Sequence, residues 1–322
     1  IEHKLGIHGS PTCVMLYEGA KAELVGELGQ GLPHMFVMMN AARLQVGVQG
    51  VAIAERAFQQ ALAFSQERRQ CKAVWYAEYP AAIYDHPDVR RSLMLMKAKT
   101  EAARGICLTT GVLTDLARLA ETPEERAAAL ARQELLTPIA KAWSTDVGVE
   151  VASLGVQVHG GMGFIEETGA AQHYRDARIT PIYEGTNGIQ AIDLIGRKLL
   201  RDGGKAMNAL IAEMQHSADP KLRSGIEILA RATGSVLAAG KEDVNHALAV
   251  ATPFLSVCGT VIAGWLLTRS AGQANGADPA FGQAKRATAA FFAANILPEA
   301  EAEAALVTGG AASTLDFPME AL

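Results

Sequence analysis

One carboxylate of this chain, Glu184, lies where a base could work out of water. The residues just before it are apolar or aromatic: Ile179, Pro181, Ile182 and Tyr183. Removing solvent from a carboxylate raises its pKa toward neutrality, where it can take up and return a proton. Gly185 then allows a ligand to approach closely, and Thr186 and Asn187 are residue types that cap helices. The spacing is compatible with a general base and equally with a helix-capping carboxylate.

Three further clusters combine cations, amides and glycines. Asn40 and Arg43 are three residues apart, so on a helix they share a face and either bind one ligand or face solvent. Arg68 and Gln70 are either a phosphate-binding pair or polar residues at a helix C-terminus, where cations are favoured. The segment from Gln157 to the glycines is either a turn or a phosphate loop, and it comprises Gln157, Val158, His159, Gly160, Gly161 and Gly163.

Long helices must position these residues. Apolar residues at helical spacing predict a helix over about 32–68. A start signal predicts a second helix over about 85–119, and a Thr-Pro-Glu-Glu capping box predicts a third over about 122–158. A fourth helix is expected over about 187–200. Four helices with short connections predict an antiparallel bundle.

The two flanks of this bundle have a different character. Residues 1–29 contain glycines, a proline and an alternating segment at 14–17, which predicts strands and turns. After residue 201 the chain is rich in alanine and predicts further helices. The uncharged stretch 247–268 is long enough to span a membrane, but its proline, hydroxyl residues and glycines favour a buried helix in an additional helical domain.

Composition narrows the classes of function. The chain has 322 residues, 49% of them hydrophobic, and a formal net charge of -5, which argues against a nucleic-acid partner. The cysteines have no paired spacing, so neither a metal site nor a disulfide framework is expected: Cys13, Cys71, Cys107 and Cys258. A reduced, cytoplasmic setting follows as an expectation. The first residues contain no signal-peptide pattern and are typical of the middle of a longer protein, so a fragment is expected.

The segment Tyr174-Arg-Asp-Ala-Arg-Ile, followed by Ile-Tyr-Glu-Gly-Thr, resembles the signature of the acyl-CoA dehydrogenases, flavoenzymes that desaturate acyl thioesters. Five separated motifs between residues 4 and 201 match that family in the same order. The resemblance implies a mainly α protein with three parts. Residues 1–29 would end a middle β-domain, 30–201 would form the family's C-terminal four-helix bundle, and 202–322 would add a helical domain.

The resemblance also implies roles for individual residues. Glu184 is expected to be the catalytic base, because the alternative base position of some relatives is Ala42 here. The acyl-CoA is expected to contact Asn40, which replaces an acid of the family's pattern, and also Arg43, Tyr183 and Gly185. FAD is expected to contact Arg68, Gln70, Gln157, Val158, His159, Gly160, Gly161, Thr186, Asn187 and Gly188. For His159 a packing role is favoured over catalysis, and Cys71-Lys72 replaces the family's Phe-Gly after Gln70.

Finer details at residues 9–14, 39–43 and 86–91 resemble the 3-methylmercaptopropionyl-CoA dehydrogenase branch, which makes 3-methylthiopropanoyl-CoA a candidate substrate. The implied activity is α,β-desaturation, with an electron-transfer flavoprotein or a similar protein as electron acceptor. A homodimer or homotetramer with FAD at the subunit interface is expected. Two alternatives stay open: an acyl-CoA oxidase, and an inactive oligomerisation fragment that lacks the flavin-cradling half.

Overall fold

Three long helices form the centre of the molecule. A computed structural model describes residues 1–216, 220–274 and 278–321. The three helices are α1 (Gly31–Glu67), α2 (Pro87–Leu119) and α3 (Pro123–His159), close to the predicted bounds. α3 packs against both of the others, parallel to α1 and antiparallel to α2. The predicted capping box forms at the start of α3, where Thr122 Oγ1 accepts from the Glu125 backbone N–H at 3.2 Å.

The fourth position of the bundle holds a short helix, a turn and a continuous helical segment over residues 187–202, which confirms the fourth helix predicted at about 187–200. α4 (Ala170–Ala177) is followed by a turn, and α5 (Asn187–Asp193) continues through a π-helical segment, Leu194–Leu199, into α6 (Leu200–Asp202). Asn187 contacts Asp146 and Lys198 contacts Glu134, so this segment runs antiparallel to α3. The mainly α prediction and the up-down-up-down order are confirmed, and the break before α5 creates the turn that holds Glu184.

Residues 1–29 form no strand among the described residues, so the strand prediction at 14–17 is wrong for this chain. Val14, Leu16 and Tyr17 are exposed. A strand needs a neighbour to pair its N–H and C=O groups, and the structure offers none here. Membership of residues 1–29 in a β-domain therefore stays a prediction. One contact fixes the segment, since the Ile7 N–H donates to Asp176 Oδ1 of α4 at 2.6 Å.

The C-terminal third is a second group of helices that packs directly on the bundle. It contains α7 (Lys205–His216), α8 (Pro220–Glu242), α9 (Val244–Ala249), α10 (Ala251–Gln273), α11 (Pro279–Asn295) and α12 (Glu299–Leu315). α10 lies at its centre and also contacts α2, α3 and α5. Gly259 of α10 lies against Trp143 of α3, so closely that a Cβ would be 2.3 Å from the indole ring.

The uncharged stretch is buried, as predicted. Among the described residues, α10 is the one helix long and apolar enough to cross a membrane, and 72% of its most apolar stretch is buried inside the protein. Its buried side chains contact neighbouring helices of the C-terminal group and the bundle. The burial explains the lack of charge, because an unpaired charge is costly inside a protein core.

α1 and α3 approach each other through glycines. A Cβ on Gly50 would lie 2.5 Å from the Ser144 carbonyl oxygen, and one on Gly148 would lie 2.8 Å from the Gly50 carbonyl oxygen. Both contacts are with backbone atoms, which cannot rotate away as a side chain can. The two helix backbones therefore pack at a distance that only glycine permits at these positions.

Gly50→Ala is expected to lower the free energy of unfolding by about 1–3 kcal/mol, because the added methyl group forces α1 and α3 apart. Gly111→Ala is the matched control, since a Cβ there has no atom within 4 Å. It is expected to stabilise the chain by up to about 1 kcal/mol, because alanine favours a helix over glycine. Urea unfolding followed by circular dichroism measures both, and equal effects would contradict the close-approach explanation.

Candidate functional site

Glu184 occupies a left-handed backbone conformation in the turn between α4 and α5. Its φ angle is +58°, and that of Gly185 is +85°. A residue with a Cβ pays roughly 1–3 kcal/mol for this region, so surrounding contacts must hold it there. A Cβ on Gly185 would lie 2.9 Å from Gln190 Nε2 and 3.9 Å from Arg43 Nη2. The protein's own side chains of Gln190 and Arg43 thus approach Gly185, where a close approach was predicted for a ligand. A contact of Gly185 with substrate stays a prediction.

Backbone hydrogen bonds and a cap define the shape of the turn. Gln190 Nε2 donates to the carbonyl oxygens of Glu184 and Gly185 at 3.2 and 3.3 Å. The Asn187 N–H donates to the Pro181 carbonyl at 2.9 Å. Thr186 is the N-cap of α5, because its Oγ1 accepts from the Ile189 N–H at 3.3 Å. Thr186 performs the capping considered for Glu184, which leaves the Glu184 carboxylate available for other work.

The side chain of Asn187 attaches the turn to α3. Its Oδ1 accepts from Lys141 Nζ at 2.8 Å, and its Nδ2 donates to the Ala142 carbonyl, Thr145 Oγ1 and Asp146 Oδ1 at 3.1, 3.0 and 2.8 Å. Both ends of the amide are therefore engaged by α3. A contact of Asn187 with a cofactor stays a prediction, and the contacts of its side chain are with the protein.

Arg43 forms a buried ion pair close to the same turn. Its Nη1 donates to Asp193 Oδ2 at 3.0 Å, and the two side chains are 8% and 6% exposed. Asn40, one turn earlier on α1, is exposed. Arg43 is thus covered by α5 while Asn40 faces solvent, and a contact of either residue with the acyl-CoA stays a prediction. Arg43 Nε and Asp193 Oδ1 are buried without a hydrogen-bond partner.

The protein around the turn changes the ionisation of its neighbours. Burial lowers the pKa of Lys141 to about 8, against the opposing attraction of Asp146. Burial raises the pKa of Asp146 even though its side chain keeps solvent access, and the hydrogen bond from Asn187 opposes the rise. Burial and the neighbouring Glu184 charge raise the pKa of the Tyr183 hydroxyl, which donates to Gln49 of α1. Burial around the turn therefore disfavours the charged forms of Lys141, Asp146 and Tyr183. The pKa of each group also depends on the charges beside it.

The dry surroundings predicted for Glu184 are only partly formed by this chain. Glu184 and Tyr183 are half-buried, and Ile182 is 48% exposed. In the described parts of the chain the Glu184 carboxylate makes no hydrogen bond or ion pair. An ionisable group that is half-buried, free and held by a strained turn is suited to accept a proton from a ligand placed over it.

The candidate phosphate-binding residues lie at the other end of α1. Arg68 and Gln70 are exposed, and Arg68 Nη2 donates to Gln70 Oε1 at 3.4 Å. The loop after α3 lies beside them, because the rings of Phe64 and His159 stack with centroids 4.5 Å apart. His159 Nδ1 donates to the Gly155 carbonyl at 2.7 Å, so its ring has the packing role predicted for it.

Glycines expose the backbone of the loop that follows α3. Gly160 and Gly161 are exposed with no atom within 4 Å of a Cβ position, and Gly160 has φ +60°. Gln157 is also exposed, whereas Val158 is buried like His159. A cofactor contact of Val158 and His159 stays a prediction. Exposed guanidinium, amide and backbone groups at one end of the bundle fit a diphosphate-bearing group such as FAD.

The two sets of residues are far apart within one chain. Arg43 and Arg68 are separated by most of α1, which at a rise of about 1.5 Å per residue corresponds to about 37 Å. Thr186 and Gly188 are exposed beside the Glu184 turn, at the opposite end from Arg68. The two sets of candidate residues therefore do not meet within one chain.

Several polar residues of the site were missed from sequence. Lys141, Asp146 and Asp193 received no role, although a single lysine inside the apolar stretch 135–143 is a signal that could have been noticed. Gln190 was quoted as part of a motif without a function. The partners of Lys141, Asp146 and Asp193 cited above lie at least 41 residues away along the chain, so no local pattern pairs them.

Comparison with known proteins gives two adjacent family matches. Residues 29–200 match the family model described as "Acyl-CoA dehydrogenase, C-terminal domain". Residues 204–318 match the one described as "Acetyl-CoA dehydrogenase C-terminal like". Together the two matches cover nearly the whole length that the structure describes.

Individual relatives agree with these matches. The chain is 48% identical to 3-methylmercaptopropionyl-CoA dehydrogenase of Ruegeria pomeroyi, over 96% of this chain and 55% of the relative. It is 33% identical to the broad-specificity linear acyl-CoA dehydrogenase FadE5 of Mycobacterium tuberculosis, over 92% and 54%. A Bacillus anthracis acyl-CoA dehydrogenase solved with FAD has the same fold, with TM-score 0.77, 24% identity and 95% and 55% covered. The chain spans about half the length of these relatives.

Asp193→Ala is expected to destabilise the chain by about 3–5 kcal/mol, because it leaves the Arg43 guanidinium buried without its carboxylate. Glu134→Ala is the control, since it breaks the more exposed pair with Lys198 at 3.2 Å and is expected to cost about 0–1 kcal/mol. Chemical denaturation compares the two variants. A loss at Asp193 no larger than that at Glu134 would show that the buried pair does not stabilise this region.

Proposed function

Because the chain belongs to the acyl-CoA dehydrogenase family, we propose that it supplies the catalytic base of an enzyme that desaturates an acyl-CoA between its α and β carbons. The observation that carries the proposal is the state of Glu184. It is the carboxylate of the turn that is held in a left-handed conformation and left without a partner. A strained, free carboxylate in a turn fixed by Gln190 and Asn187 has the properties of a general base.

In the proposed reaction Glu184 removes the α-proton of the thioester. Hydrogen-bond donors near the thioester oxygen stabilise the negative charge that develops there. Bound FAD would accept the β-hydrogen as a hydride. Gln190 and Asn187 keep the turn in place during the reaction, and Tyr183 and Ile182 shield one side of the carboxylate.

Neighbouring carboxylates are poor alternatives for the base. Asp193 is held by Arg43, and Asp146 accepts from Asn187. Position 42, where some relatives carry their base, is an alanine. Among these candidates Glu184 alone combines partial exposure with a free carboxylate.

The distance of about 37 Å between Arg43 and Arg68 along α1 supports assembly of two copies around each flavin. In this arrangement Thr186 and Gly188 contact FAD bound to their own chain. Arg68, Gln70 and the exposed Gln157, Gly160 and Gly161 contact the diphosphate of FAD bound to a second copy. A homodimer or homotetramer is the assembly proposed, with FAD at the interface.

The substrate and electron acceptor proposed here follow the most similar relative described above. Because the chain is 48% identical to a 3-methylmercaptopropionyl-CoA dehydrogenase, 3-methylthiopropanoyl-CoA is the first substrate to test. An electron-transfer flavoprotein is the proposed acceptor, and the cytoplasm the proposed location.

Glu184→Gln in the FAD-loaded holoenzyme that contains this chain is expected to slow substrate-induced bleaching of the flavin absorbance by roughly 10²–10⁴-fold, because glutamine cannot accept the α-proton. FAD content and the dissociation constant of the acyl-CoA are expected to change little. Glu124→Gln, in the exposed first turn of α3, is the control and should bleach at the normal rate. Undiminished bleaching in the Glu184 variant would overturn the proposal.

The reduced holoenzyme also separates a dehydrogenase from an oxidase. Rapid reoxidation by an electron-transfer flavoprotein and slow reoxidation by oxygen are expected of a dehydrogenase. The reverse order would assign the chain to the oxidases while leaving Glu184 as the base.

A further inference from the structure

Lys141 is among the largest fully buried side chains of the described residues, with no exposed surface. It lies in the middle of α3, among the buried neighbours Ile139, Ala140 and Ala142. A methionine would fill a similar space without the cost of taking an ammonium out of water. Packing alone therefore does not explain a lysine at this position.

The ammonium of Lys141 is directed at the turn that carries Glu184. Its Nζ donates to Asn187 Oδ1 at 2.8 Å, and Asn187 lies three residues after Glu184. Thr145 Oγ1 also lies 3.3 Å from Asn187 Oδ1, but it is itself bonded to the Ala142 carbonyl at 3.0 Å. Lys141 is thus the charged donor of the contact that attaches the turn to α3.

Four charged groups determine the electrostatic surroundings of Lys141. Asp146 of α3 and Glu184 of the turn attract it, whereas Arg43 of α1 repels it. Arg43 is itself neutralised by Asp193 of α5. With a pKa lowered to about 8 by burial, Lys141 is still mostly protonated at neutral pH. A positive charge therefore remains beneath the turn under ordinary conditions.

We propose that Lys141 is a positioning residue for Glu184, which holds the Asn187 end of the turn against α3 and places a positive charge beneath the turn. The inference rests on the proposed function, in which Glu184 is the base. Lys141 acts on Glu184 through the position of the turn and through its own positive charge. Contact with the substrate is not part of its role.

Lys141→Met in the FAD-loaded holoenzyme tests the proposal. The rate of flavin bleaching by a saturating acyl-CoA is expected to fall roughly 10- to 100-fold, because small misplacement of a reacting group is costly. The KM for the acyl-CoA is expected to change less than about threefold, since Lys141 does not bind substrate. A loss in kcat with little change in KM is the pattern expected when a reacting group is misplaced and substrate binding is intact.

Lys141→Arg separates the charge from the fit of the side chain. It keeps the cation and an N–H donor for Asn187, so it should recover part of the bleaching rate that Lys141→Met loses. Lys99→Met is the matched control, because it removes a buried ammonium that pairs with Glu150 and Glu299 instead of Asn187. This control should leave the bleaching rate unchanged in folded, FAD-loaded protein.

The outcomes distinguish this inference from the proposed function. If Lys141→Met retains the normal rate while Glu184→Gln is inactive, the role of Lys141 is refuted and the base assignment stands. A loss of rate of the same size in Lys99→Met, or a KM that rises as much as kcat falls in Lys141→Met, would also refute it. If Glu184→Gln bleaches normally, the proposed function itself fails. FAD absorbance and thermal unfolding confirm that each variant is folded.

Discussion

The attachment of one turn to one helix is the constraint on which the candidate site depends. A glutamate in the left-handed region would relax to a commoner conformation if nothing held it. The amide of Asn187 prevents this, because α3 satisfies both its oxygen and its nitrogen. Gln190 adds two bonds to the backbone of the turn itself. Glu184 can therefore remain strained and unpaired, which are the two features that make it a candidate base.

The position of α3 depends in turn on the whole bundle. Glycine contacts bring α1 against α3, and the same surface carries Arg43 to Asp193 at the end of α5. On the other side, Gly259 of α10 lets the C-terminal helices reach Trp143 of α3. The C-terminal helices thus support the helix that holds the turn. This packing gives the second family domain a structural part in the candidate site.

The polar groups of the candidate site lie at two separate places along α1. One end of α1 lies near the proton-accepting turn, and the other end presents a guanidinium, an amide and an open glycine loop. A rigid helix keeps these ends apart, so they cannot converge within one chain. This geometry supports the proposed assembly of copies around shared flavins. In that assembly the candidate residues at one end of a copy lie beside those at the other end of its neighbour.

The sequence by itself determined the features that arise from neighbours along the chain: three helix spans, the capping box at Thr122, the cap at Thr186 and the turn around Glu184. These follow from local propensity and local hydrogen bonds. The tertiary structure alone decided the pairs that join distant segments, such as Lys141 with Asn187 and Arg43 with Asp193. It also decided that Asn40 is exposed and that residues 14–17 form no strand, because burial and sheet pairing require partners that no local pattern can provide.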